Sequence, residues 1–274
     1  MKQFAIILSV FFSASPALAQ PTAGPGDVVP IGEDFAGMAP QSHAFEASDG
    51  ETLMMDVYAP EGEGPYPAVV FVSGGADTRE WAWFQQYGKL SAERGVIALV
   101  PTKRFKPTAE EIALGTQDTR DALKFARTLD LEISGVCLWV FSAGGSTMSA
   151  LAGETAPADC AVAYYPVLDR TGSAEALSDV ERDAWLAVNS PVHTFAQENE
   201  VLTAPILIVR AGKDSEGLNE SIRAFTELAL TRNMPLTLVN LPDAVHGFDG
   251  FDLTPWSADM IETSFDFVKK HASD

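Results

Sequence analysis

The sequence predicts an α/β protein: a mostly parallel sheet, opened by an antiparallel N-terminal hairpin, with helices on both faces. Three observations predict it. Short, almost wholly apolar runs alternate with longer segments of helical period, as parallel strands covered on both faces do. The pair Asp49-Gly50 separates two strand-like runs, the signature of a tight hairpin. The chain has 274 residues, 46% hydrophobic and 20% charged, which suits a globular protein with a large core and no disulfide lattice.

The elements follow in order. His43–Ala47 and Thr52–Tyr58 form the hairpin. Ala68–Val72, Val96–Val100, Val136–Phe141, Ala161–Tyr165, Ile206–Val209 and Leu236–Leu241 are the further strands. Helical patterns cover Arg79–Arg94, Ala109–Leu129, Ser142–Gly153, Leu218–Arg232 and Pro255–Lys270. In the fourth of these, Leu218, Ile222, Phe225 and Ala229 recur at helical spacing, and in the last Trp256, Met260, Phe267 and Val268 do so. Repeated βα units build a parallel sheet through crossovers of one hand. Two interruptions stand out: the loop Ser73–Thr78, and Pro166–Ala204, read as a cap over the carboxyl ends of the strands, where such sheets bind ligands.

The first residues read differently. Lys2, the apolar run Phe4–Phe12 and the small residues of Ala17-Leu18-Ala19 have the form of a secretory signal peptide cleaved after Ala19. The apolar run is too short to span a bilayer, which takes about 20 residues. The expected organisation is therefore a leader at 1–19, an irregular mature N-terminus at 20–42 and a single domain at 43–274, with 166–204 as its cap. The expected location is a periplasm or the cell exterior, with no membrane anchor. Cys137 and Cys160 each open an apolar run, and they are either a disulfide permitted by that oxidising space or two buried thiols.

With 18 Lys+Arg against 38 Asp+Glu, the formal charge is −20. A polyanion is repelled by nucleic acid and by anionic membranes, so neither is expected as a partner. Two cysteines exclude a four-cysteine zinc site, and HExxH, Walker and GxGxxG motifs are absent.

The sharpest chemical signal is Leu138-Trp139-Val140-Phe141-Ser142-Ala143-Gly144-Gly145. A strand runs into a serine, and small residues open a helix behind it, the context of a nucleophile elbow. Gly144 meets the need for small residues where strand and helix nearly collide. Val140 stands where the pattern has its first glycine. The plain alternative is a serine that caps the following helix.

A hydroxyl needs a base. Among four histidines, His246 follows the last apolar run and falls at the carboxyl end of the sheet. His193, in the cap segment, is the reserve. A carboxylate must orient the base, and Asp214 ends the turn after Ile206–Val209. The order Ser142, Asp214, His246 is that of a strand–turn–helix hydrolase triad. Asp243 and Asp249 are less suitable, being too near His246 in sequence to be placed by the sheet. The developing oxyanion needs donors. The N–H of Ala143 is one; Gly75, or its neighbours Gly74 and Ala76 in Val72-Ser73-Gly74-Gly75-Ala76, supplies the other. Trp81, Trp83 and Tyr165 are the candidate pocket residues. Ser73 lacks an elbow and is no nucleophile. Asn219-Glu220-Ser221 fits an N-glycosylation pattern.

Together these residues resemble the α/β-hydrolase superfamily, and within it secreted esterases of the dienelactone-hydrolase-like and hormone-sensitive-lipase-like branches. The resemblance covers about residues 43–270. It implies a serine esterase that forms an acyl-enzyme on a small-molecule ester and uses no cofactor. Dienelactone hydrolases proper carry a cysteine nucleophile where this chain has Ser142, so lactone specificity does not carry over. Two further readings stand beside it: a peptidase on the same triad, and a binding protein on a silent hydrolase scaffold.

Overall fold

The computed structural model describes residues 38–75, 77–104, 108–153, 157–200, 202–251 and 255–273. The expected leader and most of the irregular N-terminus lie outside these residues.

Eight strands form one sheet in the order β1-β2-β4-β3-β5-β6-β7-β8. β1 (Gln41–Glu46) and β2 (Thr52–Tyr58) pair antiparallel, from Gln41 opposite Val57 to Glu46 opposite Thr52. Gly50, at φ +87°, turns the chain between them. β2 lies antiparallel to β4 (Ile97–Pro101), and from β4 onward every pair is parallel. The remaining strands are β3 (Tyr66–Val72), β5 (Ile133–Phe141), β6 (Cys160–Tyr164), β7 (Ile206–Ala211) and β8 (Leu236–Leu241). The alternation of apolar runs with helical segments thus gave the sheet correctly, with strand ends displaced by up to three residues.

Helices α1 (Ala82–Glu93), α2 (Ala109–Ala126), α3 (Asp179–Asn189), α4 (Pro191–Thr194), α5 (Glu216–Thr231), α6 (Phe248–Phe251) and α7 (Pro255–Ala272) surround it. α5 buries Leu218, Ile222, Phe225 and Ala229, the stripe its spacing predicts. In α7 one expected position moves. Phe265 is fully buried and packs its ring 5.3 Å from Trp139, whereas Phe267 is partly exposed beside His271. The segment expected as one helix from Ser142 winds as a 3-10 helix over Ser142–Leu151. The tighter winding suits a run of Gly, Ser and Thr, whose hydroxyls bond backward: Ser146 to the Ala143 carbonyl at 3.0 Å and Thr147 to the Gly144 carbonyl at 2.8 Å.

Cys137 and Cys160 face each other in the β5–β6 register and form a disulfide, with Cα atoms 4.6 Å apart. The bond closes a covalent ring around the turn that carries Ser142. The segment between β6 and β7 folds as a short 3-10 turn (Thr171–Ala174), α3 and α4. Trp185 of α3 donates its indole N–H to the Ala109 carbonyl at 2.8 Å, tying this segment to the start of α2. Among the described residues no helix is long and apolar enough to cross a membrane.

Candidate active site

β5 runs extended through Phe141, at φ −129° and ψ 137°. Ser142 then turns into the left-handed region at φ +53°. A non-glycine residue held there costs on the order of 1–3 kcal/mol, so surrounding contacts must fix it. They do. A Cβ on Gly74 would stand 2.6 Å from the Ser142 Cβ and 2.9 Å from the Ala143 nitrogen. A Cβ on Gly144 would stand 2.6 Å from the Ser73 carbonyl oxygen and 2.8 Å from that of Val72. The end of β3 and the start of the 3-10 helix therefore touch backbone to backbone, and only glycine fits at either position. Val140 is fully buried in the strand between Val72 and Ala163. The close approach falls at Gly74 and Gly144, so a branched side chain is accommodated at the position where the motif has glycine.

Ser142, Ala143, Gly74 and Gly75 are all partly exposed, each pair following on a buried strand end. Ala76 lies outside the described residues. Ser73 is fully buried, and its backbone N–H and hydroxyl both meet the Thr78 hydroxyl, at 3.3 and 3.2 Å. Two cations, Lys103 buried and Arg170 partly buried, brace the other side of this turn. Lys103 Nζ donates to the Ser73 carbonyl, and Arg170 Nη2 donates to the Ala143 carbonyl at 2.6 Å. Burial, with the charge of Arg170 beside it, pushes the Lys103 amine down to about 7; burial pushes Arg170 down to about 10.

The turn after β7 carries Asp214, whose side chain is wholly buried. Its Oδ1 accepts the Ser215 N–H at 2.7 Å. Its Oδ2 takes the remaining bond, from His246 Nδ1 at 2.6 Å. With Nδ1 committed to the carboxylate, Nε2 is the basic nitrogen, and the imidazole is one-third exposed. Among the described residues no hydrogen bond joins Ser142 to His246. The two meet through the segment after β6 instead: Val167 N–H donates to the Ser142 carbonyl at 2.8 Å, and the Tyr165 ring lies 4.5 Å from the imidazole.

The other sequence candidates divide: Trp81 and Tyr165 lie against Gly75 and His246, and the rest make other contacts. His193 sits on α4, 3.4 Å from the Thr171 hydroxyl. Asp243 is exposed and pairs with Lys213 at 3.0 Å. Asn219, first residue of the glycosylation pattern, is buried and donates to the Asp214 carbonyl at 3.3 Å. Trp81 is partly exposed and covers Gly75, and its indole stacks on Trp83 at 6.3 Å. Trp83 and Tyr165 are buried: Trp83 lies flat on Gly250, and Tyr165 donates its hydroxyl to Asp249 at 2.6 Å. Among the described residues no cluster of three or more His, Cys, Asp or Glu is placed to hold a metal ion.

Sequence reasoning missed three groups around this site: Lys103, Arg170 and the role of Asp249. The two cations carry no motif, since they act on backbone carbonyls from distant segments. Asp249 lies three residues beyond His246, and only the fold shows which side chains it meets.

The sequence matches the model of the dienelactone hydrolase family over residues 93–255. Among curated proteins none matches it. Among solved structures, an esterase from the planctomycete Thermogutta terrifontis with propionate bound is 20% identical and superposes with a TM-score of 0.63, covering 88% of this chain and 98% of the other. The same organism's esterase 2 phosphorylated by paraoxon gives 19% identity and a TM-score of 0.64, over 86% and 96% of the two chains. Brefeldin A esterase, a bacterial homologue of human hormone-sensitive lipase, gives 18% identity and a TM-score of 0.67, over 94% and 81%.

Proposed function

This chain belongs to the dienelactone hydrolase family and is a carboxylic ester hydrolase, and we propose that it is a secreted serine esterase that cleaves short-acyl or aryl esters through an acyl-enzyme on Ser142. The observation that carries the mechanism is the Asp214–His246 hydrogen bond, taken together with a serine held at positive φ on the end of a buried strand.

The chemistry follows from those positions. Ser142 Oγ attacks the ester carbonyl carbon as His246 Nε2 takes its proton. Asp214 keeps the Nδ1 proton and stabilises the imidazolium. The negative charge on the former carbonyl oxygen is met by the Ala143 N–H and by an N–H of the Gly74-Gly75 turn, each donor worth about 2.7–4 kcal/mol. The imidazolium then gives its proton to the leaving alcohol, and the Ser142 acyl ester remains. Water, deprotonated by His246, attacks that ester; the acid leaves and Ser142 recovers its proton.

Trp81, beside Gly75, is the pocket wall with exposed aromatic surface. Propionate in the Thermogutta esterase supports a short acyl chain. The reading of secretion rests on Lys2, Phe4–Phe12 and Ala17-Leu18-Ala19. The Cys137–Cys160 disulfide supports an oxidising destination.

The test is labelling of purified residues 20–274 by a fluorophosphonate or by paraoxon, with the modified residue mapped by mass spectrometry. Ser142 is expected to be labelled in the native chain, and Ser142→Ala to be unlabelled and inactive on aryl acetates. Labelling with peptide cleavage but no ester turnover would replace esterase by peptidase. A folded protein that is neither labelled nor active would make the scaffold a binding protein.

A further inference from the structure

Asp249 is a fully buried carboxylate that the mechanism above does not use. Its Oδ1 accepts the Tyr165 hydroxyl at 2.6 Å and its Oδ2 accepts the Tyr87 hydroxyl at 2.8 Å. Among the described residues no Lys or Arg pairs with it. The groups that face it are Tyr87 from α1, Tyr164 and Tyr165 from the end of β6, and His246 on its own loop. Tyr165 connects them: its hydroxyl is on Asp249, its ring is on His246, and its backbone is held at φ +37°.

A buried carboxylate without a cation is expensive, and a neutral asparagine would satisfy both phenols by accepting from one and donating to the other. The charge therefore needs a use. The one group nearby that acquires positive charge during turnover is His246.

We infer that Asp249 is a positioning residue for His246: through Tyr165 it fixes the plane of the imidazole, and its negative charge favours the protonated ring that forms when Ser142 is deprotonated. His246 then stands between two carboxylates with different duties. Asp214 bonds the ring directly, whereas Asp249 acts from behind the tyrosine. Burial holds the Asp249 carboxyl up at about 6, so it is mostly ionised at neutral pH despite its surroundings.

The inference rests on His246 as the base, and its test separates the two. The imidazole of His246 is titrated by NMR in the full mature chain and in Asp249→Asn, with His246→Gln used to assign the signal. The midpoint is expected to fall by about half a pH unit or more in Asp249→Asn, because a stabilising charge is gone. The same variant is expected to lose about tenfold in kcat on an aryl ester with KM unchanged, and the acid limb of its pH–rate profile to move to lower pH. A folded Asp249→Asn with an unmoved His246 midpoint and unmoved kcat overturns the inference. If that variant does not fold, Tyr87→Phe removes the phenol bond to Oδ2, the carboxylate oxygen that Tyr165 does not use. A lower midpoint is again expected, and an unchanged one overturns it. Absence of Ser142 labelling in the native chain would sink the esterase reading, while the NMR midpoint would still decide the role of Asp249.

Discussion

Gly74 and Ser142 are in contact across two loops: a side chain on the first would press into the Cβ of the second, at 2.6 Å. Gly74→Ala must therefore push the β3 turn off the elbow and carry a candidate oxyanion donor with it. We expect a loss of about 100-fold or more in kcat, comparable to removing one such donor. The fold should persist, since the clash is confined to the turns after β3 and β5, where Gly74 and Ser142 are partly exposed. Steady-state kinetics and a thermal melt on the same sample check both halves.

Asp214→Asn leaves the shape of the turn but takes away the charge that orients His246. The expected loss in kcat is about four orders of magnitude, with KM little changed. Ser142→Ala should lose at least as much. A loss below about tenfold in Asp214→Asn would mean that another acid holds the ring.

The Cys137–Cys160 bond spans 23 residues in sequence, and both cysteines are fully buried. Ring closure of that size stabilises by about 3 kcal/mol, chiefly through the unfolded chain. Replacing both residues by Ala should lower the urea midpoint accordingly. Dithiothreitol should act on the native protein only once it begins to unfold.

Asp249 makes stability depend on pH in a set direction. Burial raises its folded pKa to about 6 from the ordinary value of 3.8, so the folded state holds this proton more tightly than the unfolded chain. The group's contribution is complete below about pH 4 and is lost as pH rises through about 6. Asp249→Asn escapes that loss. Its melting temperature relative to native should thus rise between about pH 4.5 and pH 7, even as its catalytic rate falls. A pH-independent difference would mean that the carboxyl titrates normally in the fold.

Much of this architecture is legible in the amino-acid sequence. The central strands advertise themselves because both faces are covered, so their runs are unbroken by polar residues. Asp214 and His246 could be placed because each follows such a run at its carboxyl end. Val140 looked like a departure from the elbow pattern, and the structure shows why it is tolerated: the tight spots are at Gly74 and Gly144. What the sequence withheld is what depends on several segments at once. The 3-10 winding after Ser142 follows from hydroxyls bonding backward and not from apolar period. Phe265 displaces Phe267 inward because Trp139 offers it a partner. Trp83 and Tyr165 read as pocket aromatics, yet both side chains are buried, and what Tyr165 touches is His246.

The disulfide has one more effect, on what happens when the chain is cut. Ser142 lies on the stretch between Cys137 and Cys160, so any single backbone break from 138 to 159 would open the protein without dividing it. In a protease-rich environment a nicked molecule would keep its two pieces side by side in the middle of the sheet. It would run as one band in a non-reducing gel and as two after reduction.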